Sequence, residues 1–304
     1  MKINRTVTTR IDPVLCNGCG RCLHVCPSQT ITLKNDKAQV SGDQSIACDH
    51  CAAVCPADAV KVTAIDQTAS RFKMFSSDDQ WLPYGKFDIS LLVKLMRSRR
   101  SCRNYTDQPL TRDLLEDLVK VGITAPSGSN CQHWTFTVLP EHSAVRALGN
   151  RIALYFKRLN RLAENRFLRW SLKLVGKKRL DWYFREYYQA VEDALSEWEK
   201  TGRDRLFHGA SAIIIVGSRP EAACPAEDAL LATQNILLAA HCLGLGTCLI
   251  GFAVEALKKD ASLKRFLSIP EKEDIHAVIA LGYPREKYLR AAGRKNFILR
   301  YYEN

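Results

Sequence analysis

The sequence has no long apolar run. No segment reaches the roughly 18 consecutive apolar residues that a membrane-spanning helix needs, and the opening residues MKINRTVTTRIDPVL hold no apolar stretch like that of a secretory signal. A Gly-x-Gly-x-x-Gly run after a predicted strand is also missing, so nothing predicts a built-in nicotinamide-binding domain. We therefore expect a soluble cytoplasmic protein.

Cysteine is plentiful, but it does not form the pattern of a disulfide framework. Seven of the twelve cysteines lie in two short runs between positions 16 and 55, and the other five are scattered. Disulfide frameworks are typical of small secreted domains, so this pattern favours a reducing compartment. At 304 residues the chain is long enough for two domains, each with its own core.

The first cysteine run reads CNGCGRCLHVCP from position 16 to position 27. Its spacing and closing proline are those of bacterial ferredoxins, in which three cysteines hold one iron–sulfur cluster and the fourth serves the other cluster. Gly18 and Gly20 suit the tight turn, because backbone must pass close to sulfur there.

The second run, CDHCAAVCP from position 48, repeats the last three cysteines of that pattern, and Ser45 stands where the first should be. Together the runs resemble the two-cluster ferredoxin module over roughly residues 10–65. The resemblance implies a [4Fe-4S] cluster on Cys16, Cys19, Cys22 and Cys55, and a second cluster on Cys26, Cys48 and Cys51.

The second cluster is one thiolate short, which leaves several outcomes open. It could be [3Fe-4S], or [4Fe-4S] with Ser45 or water on the open iron, or it could be absent. Zinc also takes four thiolates and is the alternative metal. Zinc sites, however, usually pair two-cysteine knuckles across a spacer, so the packed run favours iron and sulfur.

A polar stretch through residues 76–79 predicts a linker, with a domain boundary near residue 80. Beyond it, the apolar spacing predicts several elements. The helices are expected over 89–97, from a cap at Thr111, over 227–243 as a long buried helix and over 254–267. The strands are expected over 134–139, over 212–216 and from His276. Residues 151–205 form an insert that is helical by composition. The mixture predicts an α+β fold.

Four motifs in this second part resemble the FMN-dependent nitroreductase family. They are an Arg-x-Ser-x-Arg run from position 99, APSGSNCQHW from 125, GLGTCLIG from 244 and LGYP from 281. The resemblance covers roughly residues 88–304 apart from the insert. The whole chain thus resembles a ferredoxin–nitroreductase fusion, with an iron–sulfur domain over 1–80 and a nitroreductase-like α+β sandwich over 81–304.

The resemblance implies an FMN site, which needs cations for the phosphate and polar groups at the ring edge. The expected contacts are Arg99, Arg100, Ser101, Arg103, Ser127, Gly128, Asn130, Gln132, Leu249, Ile250, Gly251, Arg294 and Lys295. The arginines after position 98 have an ordinary alternative, because cations are favoured at the end of a helix.

In the family the flavin lies in a dimer interface, so the resemblance implies a homodimer in which Ser127, Asn130 and Gln132 reach the partner's FMN. The alternative is an ordinary turn whose side chains cap its own backbone. His133 stands where the family usually has proline, and it is either a proton donor to substrate or a satisfied structural histidine. No catalytic acid or base is evident.

Clusters pass one electron at a time, whereas a flavin accepts one or two. The predicted function is therefore to pass electrons from the clusters to FMN and then, as hydride from N5, to a small-molecule acceptor. Nitroaromatics, quinones and activated alkenes fit. The alternative is a non-catalytic redox sensor or electron carrier.

Acidic residues are few: 32 against 44 Lys and Arg, a net charge of +12. Nine basic residues stand against Glu164 alone between positions 157 and 179, and we call them the basic patch: Lys157, Arg158, Arg161, Arg166, Arg169, Lys173, Lys177, Lys178 and Arg179. The patch could attract an acidic donor such as a ferredoxin or flavodoxin, an anionic membrane surface or an acidic substrate. The alternative is a solvated helix face beside buried aromatic residues. No binding motif supports nucleic acid as a partner.

Overall fold

The N-terminal module consists of two small antiparallel sheets and two single-turn helices. The computed structural model describes residues 5–303. The strands are β1 (Thr9–Ile11), β2 (Ile31–Lys34), β3 (Lys37–Val40) and β4 (Val60–Val62), and the helices are α1 (Arg21–His24) and α2 (His50–Ala53). β1 pairs with β4, and β2 pairs with β3. Ile31, Val60 and Val62 form its small core with the cysteines.

The backbone of the module repeats around the two cysteine runs. Positive φ angles, which most side chains disfavour, occur at matching places: Gly18 (73°) and Ala47 (48°), Gly20 (71°) and Asp49 (62°), Gln29 (51°) and Asp58 (47°). The same offset along the chain separates Cys19 from Cys48. The repeat therefore places Ser45 at the position that corresponds to Cys16, which confirms the predicted register.

The second part of the chain has a four-stranded antiparallel sheet in the order β5-β6-β8-β7. The strands are β5 (Trp134–Leu139), β6 (Ala212–Ser218), β7 (Gly246–Leu249) and β8 (Asp274–Gly282). The predicted strands over 134–139, over 212–216 and from His276 are confirmed. Every residue of β6 is buried, so both faces of the sheet are covered.

Helices cover the two faces of this sheet. They are α3 (Ile89–Ser98), α4 (Arg112–Gly122), α5 (His142–Glu164), α6 (Arg166–Leu174), α7 (Arg179–Glu186), α8 (Tyr188–Thr201), α9 (Pro225–Cys242), α10 (Gly251–Lys259) and α11 (Ala261–Phe266). Because side chains alternate along a strand, Ile213 of β6 packs with α5 and α8, whereas Ile214 packs with α4 and α9. The predicted α+β architecture is confirmed.

Two helix predictions need correction. The single helix expected over 254–267 is wrong, because the backbone is extended at Asp260, whose carboxylate accepts the N–H of Ser262 at 2.9 Å and begins α11. The helix expected over 227–243 forms as α9, but it is not buried all round. Leu230 and Leu231 remain 49% and 46% exposed.

The linker packs on the second part of the chain. After a short 3-10 helix (Gln67–Ser70), residues 71–88 have no regular secondary structure. The backbone N–H groups of Lys73 and Met74 donate to the buried carboxylate of Asp117 on α4, at 2.8 and 2.7 Å. The predicted boundary near residue 80 falls within this segment and stays a prediction.

The insert is helical, as predicted, and its basic patch is largely paired. Five of its nine cations have acidic partners: Lys157 with Glu199, Arg158 with Asp260, Arg169 and Lys173 with Asp181, and Arg179 with Glu255. All of these partners lie outside positions 157–179, which is why the local count in the sequence overstated the free charge. Among residues 5–303, no helix is long and apolar enough to cross a membrane.

Candidate functional site

One cavity of the N-terminal module is lined by the four cysteines predicted for the first cluster. They are Cys16, Cys19, Cys22 and Cys55, with Gly20, Ala38, Ala59 and Val60 among the other lining residues. Cys55 belongs to the second run, so the fold brings together the crossed set that the resemblance implied. Their role as ligands stays a prediction.

Backbone N–H groups of the N-terminal module donate to three of its cysteine sulfur atoms. Ala38 donates to Sγ of Cys16 at 3.4 Å, Ala59 to Cys55 at 3.3 Å and Thr30 to Cys26 at 3.4 Å. The bonds from Ala38 and Gly18 lower the pKa of the Cys16 thiol, whereas burial raises the pKa of Cys22 and of Cys51. N–H donors to sulfur favour the thiolate, which is the form that binds iron, so these hydrogen bonds fit an iron–sulfur cluster.

A second cavity is lined by Cys26, Cys48 and Cys51 together with Ser45. The Ser45 hydroxyl oxygen accepts the N–H of Ala47 at 3.0 Å, so one of its two lone pairs is used within the turn. The oxygen therefore keeps one lone pair at the position where the first cavity has a thiolate. The structure brings together the predicted residues of the second cluster and adds no further cysteine.

The spacing of the cysteines bears on the zinc alternative. Among residues 5–303, no three side chains of His, Cys, Asp or Glu converge as ligands of a single metal ion. A zinc ion draws its thiolates to about 2.3 Å from one centre. Iron and sulfur stay the prediction, which rests on the packed spacing of the first run.

The segment that follows α3 lies against the free edge of β7. Ser101 pairs with Thr247, and the N–H of Cys102 donates to the Thr247 carbonyl at 2.8 Å. Cys102 packs inward against Gly246, where a Cβ atom would lie 2.7 Å from its sulfur. Ser101 is half-buried and its side chain hydrogen-bonds the buried Cys248 thiol, whereas Arg103 is exposed.

Arg99, Arg100 and Arg294 lie near one another at this segment. Burial lowers the pKa of Arg99, and the nearby Arg100 and Arg294 guanidinium groups lower it further. Within the described part of the chain, none of Arg99, Arg100, Arg103, Arg294 and Lys295 has a carboxylate at ion-pair distance. A set of cations without counter-charge fits a phosphate dianion, so we call these five residues the cation cluster.

The end of β7 provides open space near the cation cluster. The N–H of Ile250 donates to the Val278 carbonyl at 2.9 Å, which fixes the turn into α10. Leu249 is 47% exposed, and a Cβ atom on Gly251 would meet nothing within 4 Å. These predicted ring contacts border a surface with room for a planar group.

The loop before β5, which contains the other predicted flavin contacts, is strained and firmly held. Ser129, Asn130 and Gln132 have φ angles of 52°, 51° and 50°, a conformation that costs side-chain-bearing residues about 1–2 kcal/mol each. The buried carboxylate of Asp228 accepts the N–H of Gly128 at 2.9 Å. Strain of this kind persists where the surroundings fix it, and it is frequent at functional sites.

Asn130 joins this loop to the N-terminal module. Its amide nitrogen donates to the carbonyls of Ile46 and Ala47 at 3.1 and 2.9 Å, and its amide oxygen accepts from Gln132 at 3.0 Å. Ile46 and Ala47 lie between Ser45 and Cys48. Both amide hydrogens of Asn130 are therefore used within the chain, which leaves none for a flavin; its predicted cofactor contact remains untested.

The two groups of predicted flavin contacts lie at opposite edges of the sheet. Ser101 lies beyond β7, whereas the loop precedes β5, four strand positions or about 19 Å away. Ser101 also lies level with Leu281, and Trp134 lies level with Asp274, about 23 Å along β8. One flavin cannot contact both groups of a single chain.

Comparison with known families decides what this fold is. The sequence model of the nitroreductase family matches residues 96–283. The chain belongs to the nitroreductase family. Residues 6–62 match the model of the 4Fe-4S dicluster domain, so the predicted ferredoxin–nitroreductase fusion is confirmed.

Individual relatives of the nitroreductase domain are distant. A candidate NADH dehydrogenase/NAD(P)H nitroreductase of Archaeoglobus fulgidus is 26% identical over 64% of this chain and 86% of its own length. A 4-nitrobenzoate reductase of a Nocardioides species is 26% identical over 64% of this chain and 81% of its own. A crystallised Bacteroides fragilis nitroreductase with bound FMN is 22% identical, covering 68% of this chain and 98% of its own, with a TM-score of 0.48.

The nitroreductase domain also has a basic cleft that the sequence analysis missed. The cleft has a volume of about 810 Å³, and Arg103 of the cation cluster is one of its lining residues. Its other basic lining residues are His142, Arg146, Arg203, Arg205, His208 and Arg285. Burial lowers the pKa of His208, and the Arg103 and Arg205 charges lower it further. The run Arg203-x-Arg205-x-x-His208 just before a buried strand was the available signal.

His133 lies where the strained loop enters β5. Its carbonyl accepts the N–H of Arg219 at 2.9 Å. Its Nδ1 atom is buried and has no hydrogen-bond partner within the described residues. The expectation of a satisfied structural histidine is wrong for this atom, and a proton-donor role stays a hypothesis.

Proposed function

We propose that this nitroreductase-family member is an FMN-dependent oxidoreductase that receives electrons through iron–sulfur clusters and reduces a small-molecule acceptor. The convergence of Arg99 and Arg294 without a carboxylate partner, beside open space at Gly251, carries the proposal. When bound, the clusters would supply electrons singly, and FMN would pass two of them with a proton to the acceptor as a hydride equivalent.

The residues of the cation cluster have distinct roles in this proposal. Arg99 and Arg294 hold the phosphate, because they lie near each other and, within residues 5–303, neither has a carboxylate at ion-pair distance. Ser101 and Arg103, on the same segment, orient the ring edge. A cation there also favours the reduced, anionic ring over the neutral oxidised ring, so Arg103 raises the flavin potential.

The acceptor class is a nitroaromatic, a quinone or an activated alkene. A relative named 4-nitrobenzoate reductase, 26% identical over 207 residues, makes a nitroaromatic the first acceptor to test. No described side chain is assigned as an acid or base, and the chain's contribution is binding, orientation and exclusion of water.

A homodimer is part of the proposal. The loop and the cation cluster lie at opposite edges of the sheet, so a site that contains both needs two copies of the chain. Exposed apolar residues on α3 and in the C-terminal segment provide a surface for that contact: Leu91, Val93, Met96, Leu289, Phe297, Ile298, Leu299, Tyr301 and Tyr302. α3 buries none of its residues within the single chain.

Two finer assignments belong to the proposal. The second cluster is [3Fe-4S], or [4Fe-4S] with Ser45 or water on the open iron, and the iron–sulfur domain ends near residue 80. An acidic ferredoxin or flavodoxin is the external donor. In the part of the chain that the structure describes, four cations of the basic patch have no carboxylate at ion-pair distance and form its docking site: Arg161, Arg166, Lys177 and Lys178.

FMN retention tests the binding site. Arg99→Ala and Arg294→Ala each remove a charge-assisted bond worth about 1.5–3 kcal/mol, so FMN affinity should fall about tenfold to a hundredfold. Arg290→Ala, an exposed cation of the same C-terminal segment, is the matched control and should keep its FMN. Equal flavin content in all three variants after gel filtration would contradict the site.

Turnover separates an enzyme from a redox sensor or electron carrier. Anaerobic protein, assayed for FMN, iron and sulfide, is reduced with limiting dithionite and then mixed with a nitroaromatic. An enzyme reoxidises repeatedly and forms reduced product in proportion to the electrons supplied. Absence of product at every acceptor of the three classes would favour the carrier.

A further inference from the structure

The ferredoxin module is attached to the nitroreductase domain at two places. At one place the linker N–H groups of Lys73 and Met74 bind Asp117, and Lys120 donates to the carbonyl of Arg71 at 2.9 Å. At the other place Asn130 binds the turn between Ser45 and Cys48. The first attachment holds the linker, and the Asn130 contact holds the module itself.

The second attachment puts the second cysteine cavity beside the strained loop. Ser45 and Cys48, which line that cavity, flank the two residues whose carbonyls Asn130 binds. The cavity and the loop therefore lie at the β5 edge of the sheet. The chain's own cation cluster lies at the β7 edge, about 19 Å across the sheet and about 23 Å along it.

In a dimer, the second cysteine cavity of one protomer can lie closer to the cation cluster of the other protomer than to its own. In a two-fold dimer whatever touches one protomer's cation cluster touches the other's equally, so a loop that completes the partner's site brings its own module with it. The exposed apolar face of α3 directly precedes the cation cluster. Exposed apolar surface of this extent is typical of an interface.

We propose that the ferredoxin module of each protomer serves the flavin site of its partner, through the second cysteine cavity and the Asn130 contact. This inference rests on the proposed function, since it assumes that the cation cluster holds FMN. It assigns Asn130 to positioning: its amide places the Ser45–Cys48 turn against the loop instead of binding flavin.

Two mixed dimers of equal composition test the pairing. In the split dimer, one protomer carries Arg99→Ala and Arg294→Ala, and the other carries Cys48→Ser and Cys51→Ser. In the one-sided dimer, a single protomer carries all four substitutions. Two affinity tags isolate each mixed dimer, and each should hold one FMN and one intact second cysteine site. The two dimers differ only in whether the intact second cysteine site lies on the protomer that holds the remaining FMN or on its partner.

The fluorescence lifetime of bound FMN reports proximity without turnover. A nearby iron–sulfur cluster quenches the flavin, so we expect the short wild-type lifetime in the split dimer and its loss in the one-sided dimer. The absorbance of FMN should also bleach quickly after dithionite is added to the wild-type and split dimers. In the one-sided dimer this fast phase of bleaching should be lost. The reverse pattern in both measurements would overturn the proposal and leave the proposed function standing.

Other outcomes are equally decisive. If the wild-type dimer holds FMN and clusters but shows neither quenching nor cluster-dependent bleaching, the proposed function fails along with the pairing. Equal quenching in both mixed dimers overturns the pairing alone. If the cysteine variant does not fold, Asn130→Asp replaces it in the same two arrangements. Quenching should then weaken when Asn130→Asp lies across the interface from the intact flavin site.

Discussion

Cys16 and Ser45 occupy corresponding turns of one repeated backbone, and their surroundings differ. The sulfur of Cys16 accepts a hydrogen bond from Ala38, and the Cys16 carbonyl accepts one from Lys37, both inside the ferredoxin module. Ser45 supplies oxygen in place of sulfur, and the turn after it is bound from the nitroreductase domain by Asn130. The hydrogen bonds named at Cys16 thus come from within the ferredoxin module, whereas the turn after Ser45 accepts hydrogen bonds from the nitroreductase domain.

The turn that has serine in place of the first cysteine is therefore also the turn that contacts the nitroreductase domain. A turn that needs only to hold a cluster can keep four thiolates and glycine at its tight positions, as the first half does with Gly18 and Gly20. In the second half Ala47 and Asp49 occupy those positions, and Ala47 presents its carbonyl to Asn130. The turn of the second site therefore contacts the nitroreductase domain, and its positive φ angles at Ala47 and Asp49 cost some backbone energy.

The largest effect should come from exchanging the differing ligands. Ser45→Cys supplies the missing thiolate and should convert the second site to an ordinary four-iron cluster, whereas Cys16→Ser should make the first site lose iron readily. Iron and sulfide analysis with EPR of anaerobic protein measures both. Two identical four-iron signals in the unaltered protein that persist in Ser45→Ala would contradict the comparison.

Gly18→Ala should be the next largest effect. A Cβ atom there would lie 2.2 Å from the carbonyl oxygen of Asp36, and the φ of 73° disfavours a side chain as well. Clash and strain together should cost at least about 3 kcal/mol and empty the first site. Gly85→Ala, at a φ of 73° with nothing within 4 Å, is the control for backbone strain alone. Equal cluster content in both variants would show that the turn relaxes.

Much of this comparison could be predicted from the sequence. A cluster dictates the spacing of its ligands, so the offset between Cys19 and Cys48 placed Ser45 opposite Cys16, and the backbone repeat agrees. The spacing of apolar residues predicted the strands and the long helices, including β5 and α4. The predicted cap of α4 is also present, because Thr111 accepts the N–H of Leu114 at 3.3 Å. Local chemistry was sufficient for these features.

Contacts between distant parts of the chain could not be predicted. Nothing in the period of the sequence links Asn130 to Ile46, Asp117 to Lys73 or Arg158 to Asp260. The break at Asp260 was missed because an amphipathic period continues across it, while a carboxylate cap competes with the helix. Sequence patterns report which face is apolar, and they do not report which polar partners meet.

Asn130→Asp should have a smaller effect, confined to the second half. Aspartate keeps the shape and tolerates the left-handed backbone, but it removes both donors and leaves two carbonyls without them. We expect a loss of about 1–3 kcal/mol in attachment of the module, seen as faster hydrogen exchange at residues 45–48 with no change around Cys16. Asn235→Asp, which removes an exposed bond to Thr124, is the control. Equal exchange at 45–48 in both variants would show that the Asn130 bonds do not hold the turn.

Ala47→Gly should have the smallest effect, and its sign is informative. Ala47 has a φ of 48°, where glycine avoids a penalty of about 1–2 kcal/mol, but glycine also costs about 0.5–1 kcal/mol more entropy on folding. The module should therefore gain up to about 1.5 kcal/mol, measured as a higher denaturation midpoint with an unchanged m-value. The carbonyl that Asn130 binds is kept. A lower midpoint would mean that the methyl group of Ala47, packed on the module core, stabilises the turn by more than its backbone strain costs.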